Sequence, residues 1–177
     1  MNRRKLLYTA IATPVVLVLG VKTASMARHG ALSELLAQLQ SLPADKLRST
    51  GRWSVSEIFQ HCAQSIRFSR LGYPQAKSAL FQNTAGAAAL NVFSAAGKMQ
   101  HPLDEAIPGA PALVSGLPNE VALAELVSEL EKFMAWQGEL APHFAYGKLS
   151  KAQYDSAHCL HVKNHLSEVS GSREGHL

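Results

Sequence analysis

"WSVSEIFQHCAQSIRFSRLGYP", residues 53–74, decides the fold. Ser54 followed by Glu57 is a capping box, in which each side chain satisfies a backbone N–H that the start of a helix leaves free. Trp53 and Ile58 stand where a hydrophobic staple closes over that start. Gly72 and Pro74 end the helix. On its wheel His61 falls at the flank of the apolar arc, among Ile58, Ser65 and Phe68, where a neighbouring helix approaches. Spacing alone also allows a solvent-facing imidazole there.

Working outward, the same pattern recurs. "ALSELLAQLQSLP" (31–43) spaces Leu32, Leu35, Leu36 and Leu39 as one helical face, closed by Pro43. "NEVALAELVSELEKFMAWQGEL" (119–140) carries Leu123, Leu126, Val127, Leu130, Phe133 and Met134 every three or four residues. After a turn from Pro142 to Leu149, Ser150 and Gln153 form a second capping box, with Leu149 and Tyr154 as its staple. Residues 75–97 are rich in Ala and Gly and read as a softer helix, weakened by Gly86 and Gly97. From His101 to Pro118 the prolines and glycines predict a long irregular loop, of the kind that is usually functional or mobile. Strand-like alternation is absent. Each apolar stripe needs another helix to cover it, so the expected product is an all-α four-helix bundle over residues 30–169, with a disordered tail at 170–177.

The first residues read differently. Arg3, Arg4 and Lys5 precede an apolar run from Leu6 to Val21, and Ser25-Met26-Ala27 offers a small-residue exit. That is the anatomy of an export signal over residues 1–27, and the paired arginines before Leu6 and Leu7 resemble a twin-arginine signal. The rival is an uncleaved anchor through residues 6–21, although a spanning helix needs about 20 apolar residues. Either way the rest of the chain is expected outside the cytoplasm, in the periplasm or cell envelope, free or tethered to the inner membrane, with the export machinery as a partner. Seventeen basic residues face thirteen acidic ones in the full chain. Four of the basic ones (Arg3, Arg4, Lys5 and Lys22) lie in the signal, so the remainder is near neutral. No basic run is left to follow a phosphate backbone, which argues against nucleic acid. Cys62 and Cys159 are too few for a disulfide scaffold and match no zinc-finger pattern. Buried thiols are the simpler reading, with a bridge between them conceivable in an oxidising compartment.

The last helix carries "AHCLHVKNHLSEV" (157–169). At about 100° per residue, His158, His161 and His165 share an arc with Tyr154, Val162 and Leu166, while Ser156, Lys163 and Ser167 fall opposite. An i, i+4 pair such as His161 and His165 can bind one metal ion, and His61 could bring a third ligand from another helix. A buried histidine bonded to a carbonyl is the alternative for any one of them. His158 is a candidate fourth ligand or supporting partner. His101 and His143 lie in loops near helix ends, and His29 and His176 are terminal.

"WSVSEIFQHCAQSI", "GYP", "HPLDEAIPGAPAL" and "PHFAYGKLSKAQYDSAHCLHVKNHL", in this order, resemble the DinB-like metal-binding four-helix bundles, a superfamily that includes the YfiT proteins. Together they look like an uncharacterised branch of it, known chiefly as a domain of unknown function. The resemblance implies a divalent ion, zinc or nickel, on His61, His161 and His165. It departs from the branch at Asn164, Glu168, Val169 and Tyr154, which leaves the surroundings of the site open. Three neutral imidazoles with an open fourth position are the ligand set of a catalytic zinc, able to lower the pKa of bound water to about 7 or to activate a thiol. The functional expectations are therefore a metal-dependent hydrolase or thiol transferase acting on a small molecule, a non-catalytic metal-binding module, or a structural interaction protein of the envelope. Glu57, Glu168 and Tyr154 are candidate assisting groups, and a homodimer is compatible with the sequence.

Overall fold

A computed structural model describes residues 32–171. The expected export signal, His29, His176 and the last six residues lie outside the described residues. The helices are α1 (Leu32–Gln40), α2 (Val55–Leu71), α3 (Ala79–Phe81), α4 (Ala87–Ala96), α5 (Asn119–Ala135) and α6 (Lys151–Leu166). A π turn at Gln82–Gly86 joins α3 to α4, and a 3-10 turn at Ala44–Lys46 follows α1. Two short strands, β1 (Arg48–Ser49) and β2 (Val169–Ser170), pair antiparallel, with Arg48 opposite Ser170 and Ser49 opposite Val169. The chain is thus an all-α bundle with one small ladder, which extends a residue past the expected boundary at 169. Among the described residues no helix is long and apolar enough to cross a membrane.

Both capping boxes form. The Glu57 carboxylate accepts from Ser54 N at 2.8 Å, and Gln153 Oε1 accepts from Ser150 N at 2.9 Å. α2 packs most extensively on α5, α1 covers α5 and α6, and α4 leans on α6. The core runs through Leu35, Leu39, Ile58, Phe59, Ile66, Leu126, Leu130, Phe133 and Tyr154. Glu129 of α5, buried among apolar neighbours, ties α2 to α5 by accepting from Arg70 and from Arg67 at 3.3 Å, with Lys132 at 3.0 Å. Such a buried carboxylate is tolerable only because its partners also supply the hydrogen bonds that water would give.

Several expectations are corrected. Ser156 faces the interior because α6 is wrapped by neighbours on more than one side, so a single apolar arc does not describe it. Met134, assigned to the apolar stripe of α5, is exposed at its end. Gly86 and Gly97 organise the 79–97 segment instead of weakening it. A Cβ on Gly86 would lie 1.9 Å from the Ala145 carbonyl oxygen, so only glycine permits this approach. Gly97 adopts φ 68° to end α4 in the left-handed conformation. Cys62 and Cys159 are buried thiols with no bridge between them.

The ladder matters for the site. It joins the chain just before α2 to the chain just after α6, and Thr50 N adds a hydrogen bond to Glu168 O at 2.8 Å. The start of α2 is thereby held beside the end of α6. His61, in the second turn of α2, faces His161 and His165 in the last turns of α6.

Candidate metal centre

His61 and His165 are buried and His161 is half-buried. Their Nε2 atoms converge: His61 Nε2 and His165 Nε2 each lie 3.2 Å from His161 Nε2. The three ligand atoms lie within 4.8 Å of one another. Zinc–nitrogen bonds of about 2.0–2.1 Å at tetrahedral angles put neighbouring nitrogens roughly 3.3 Å apart, so the observed spacing is that of a ligand edge. The three could hold one divalent ion.

The donor chemistry agrees. Burial, together with His101 nearby, holds the His61 imidazole down to about 4. Burial and the neighbouring rings hold His165 down to about 2 and push His161 well below the usual range. All three are therefore neutral at physiological pH, the form that ligates metal. Converging neutral imidazoles cannot all be satisfied by one another, since each Nε2 either donates or accepts. Their Nδ1 atoms are buried without a hydrogen-bond partner, so among the described residues no carboxylate or carbonyl orients the rings from behind. Packing does that instead. Trp53 stacks on His165 with ring centres 6.1 Å apart and tilts over His61 at 5.0 Å. Sequence reasoning left Trp53 as a staple; the structure makes its indole a wall of the site.

On another side His61 and His161 line a cavity of about 290 Å³. Its other walls are mostly apolar, including Met99, Ile107 and Phe144. Gly86, pressed on Ala145, fixes the 143–147 turn that forms one wall. His143 holds this turn through Nδ1, which accepts from Ala145 N at 3.1 Å and Tyr146 N at 3.2 Å. The 101–118 loop forms another wall and is pinned to α2. Val114 N donates to Gln60 Oε1 at 2.9 Å, Gln60 Nε2 donates to Val114 O at 3.0 Å, and Gln64 Nε2 donates to Pro111 O at 3.0 Å.

The structure sorts the remaining histidines. His158, offered as a fourth ligand, turns away from the triad: Ser69 Oγ donates to Ile66 O at 2.7 Å, so His158 Nε2–H donates to that hydroxyl at 3.1 Å. His101, read as a loop residue near a helix end, packs against His161 at 5.2 Å and His165 at 5.1 Å between ring centres. Nothing in spacing or periodicity ties a loop residue to a site on two helices. The assisting candidates are not brought in. Glu57 is occupied by its capping box, Tyr154 donates to Ala141 O at 2.7 Å, and Glu168 lies against Gly51.

Among known proteins, a family model described as "Protein of unknown function (DUF1569)" matches residues 23–172. No curated protein and no solved structure matches the chain.

Proposed function

The chain belongs to the DUF1569 family, part of the DinB-like superfamily, and from that premise we propose that it is a metal-dependent protein acting on a small molecule held beside its histidine triad. The observation that carries this reading is the convergence of three imidazoles, two of which, His61 and His161, line an apolar cavity. A structural zinc site is closed by four protein ligands; three protein ligands next to a ligand-sized space is the catalytic arrangement. Zinc or nickel suits imidazole donors. Bound there, such an ion supplies Lewis-acid chemistry, which serves hydrolysis or the transfer of a thiol.

The chain's own residues do the rest. His61, His161 and His165 hold the ion in place, Trp53 orients two of their rings, and the apolar walls exclude water from a bound molecule. The exported location belongs to the same proposal and is supported by the basic start, the apolar run 6–21 and the Ser25-Met26-Ala27 exit. A non-catalytic role has one observation in its favour, since an ion on these three residues would also cross-link α2 and α6.

The test is equilibrium dialysis of the full-length protein against zinc and against nickel, followed by addition of a small metal ligand. One ion per chain that still accepts the added ligand supports the enzyme reading. One ion that accepts nothing supports the cross-linking role. Fusing residues 1–30 to a reporter active only after export tests the location.

A further inference from the structure

We infer that His101 is a fourth functional imidazole of this site, a hydrogen-bond acceptor that selects a protic molecule (water, an alcohol or a thiol) for the position the triad leaves open. The inference rests on the metal-dependent reading above. Its first support is the tautomer. His101 Nδ1 lies 2.7 Å from Pro102 O, and a carbonyl oxygen only accepts, so Nδ1 carries the hydrogen. In the neutral imidazole Nε2 is then a bare lone pair. It is buried, and no group among the described residues donates to it. A buried acceptor left without a donor is costly, so a partner from outside the chain is the simplest explanation.

Position supplies the second support. The triad rings are 4.6 to 5.1 Å apart between centres, and His101 stands at 5.2 and 5.1 Å from two of them. Its ring nitrogens nevertheless stay outside the set of atoms lying within 4.8 Å of one another. His101 thus stands outside the converging set, yet its ring is near enough to meet a molecule bound by the triad. The same residue lines the cavity with His61 and His161. The loop that carries it is fixed by the Gln60–Val114 pair and by Arg52 Nη1 on Asp104 at 2.9 Å. The acceptor is therefore presented at a set place. An occupant that brings a hydrogen gains this bond; one that brings only lone pairs faces another lone pair.

The test uses the full-length protein loaded with cobalt(II), whose visible spectrum reports what occupies the fourth position. Cobalt stoichiometry is measured first, and thiocyanate, which has no hydrogen to donate, is then titrated against the water present. In the wild type His101 holds that water, so His101→Ala should bind thiocyanate roughly tenfold more tightly, the value of one hydrogen bond to a polarised donor. His101→Gln, whose amide oxygen also accepts, should stay near the wild type. Equal thiocyanate affinity in all three proteins overturns the inference, as does loss of cobalt from His101→Ala, which would make His101 a ligand. A wild-type protein that takes up no cobalt sinks the metal-dependent reading itself, and the stoichiometry separates that failure from the others.

Discussion

Replacing Glu129 by Gln should cost far more stability than replacing its neighbour Glu125. The Glu129 side chain is 5 % exposed and meets Arg70, itself 8 % exposed, together with Arg67 and Lys132. Burial alone would raise its pKa, but the hydrogen bond from Lys132 and the charges of Arg67 and Arg70 hold it below the ordinary carboxylate value. In Glu129→Gln the three cations fare differently. Lys132 is half in water and relaxes there, and Arg67 keeps Glu125 at 2.5 Å. Arg70 loses its counter-charge and keeps a neutral amide oxygen as acceptor and the Trp136 ring, 5.6 Å from its guanidinium carbon. A buried charge stripped of its counter-charge costs about 3–5 kcal/mol, and the neutral acceptor and ring contact that remain argue for the lower end, about 3 kcal/mol. Glu125→Gln removes an exposed partner that Glu129 can replace for Arg67, so it should cost under about 1 kcal/mol. Urea unfolding of the full-length chain, followed by far-UV circular dichroism, measures both. Because the folded carboxylate has the lower pKa, its contribution is present above the unfolded value of about 4.5 and fades below it, so the gap between wild type and Glu129→Gln should narrow in acid. Equal losses for the two variants, or a Glu129→Gln loss below about 1 kcal/mol, would refute the reasoning.

Other predictions follow from single contacts. Gly86→Ala gains about 1 kcal/mol of helix propensity but drives a methyl into the Ala145 carbonyl, which only a backbone shift can relieve. The expected net result is a loss of about 1–2 kcal/mol in urea unfolding, and a more stable variant would contradict it. Burial holds His143 and His158 at about 3, against the usual 6.5. Between those values the unfolded chain binds protons that the folded chain refuses, so stability should fall as the pH drops below 6.5, by roughly 1 kcal/mol per histidine per pH unit. A urea midpoint unchanged between about pH 7 and about pH 5 would oppose this. Complete burial pushes the Cys62 thiol well up, so Cys62 should resist thiol reagents until the protein unfolds; rapid labelling of the native protein at Cys62, located by peptide mass, would show otherwise.

The parts of the fold legible in the sequence were those carried by local chemistry. Ser54–Glu57 and Ser150–Gln153 mark helix starts because a capping box is a contact between residues three apart. The grouping of three histidines that could hold an ion was legible in part: His161 and His165 repeat at one helical turn, His61 lies where α2 meets a neighbour, and the family resemblance joined the three. What escaped depends on contacts distant in the chain. His101 reaches the triad from a loop with no period to betray it, and Trp53 doubles as a wall because α6 ends beside it. Gly86 reads as a helix weakener until the Ala145 carbonyl is seen against it. Ser156 is buried because α6 has neighbours around it, which a wheel drawn for one apolar face does not anticipate. A ladder of two residues per strand is too short for alternation to reveal.

The central claim is that His61, His161 and His165 hold a divalent ion. Elemental analysis of the purified full-length protein, beside His61→Ala, His161→Ala and His165→Ala, tests it most directly. The account predicts about one ion per chain in the wild type and its loss from each variant while circular dichroism still shows a folded bundle. A folded wild-type protein that carries no ion, and takes up neither zinc nor nickel when they are supplied, would contradict it.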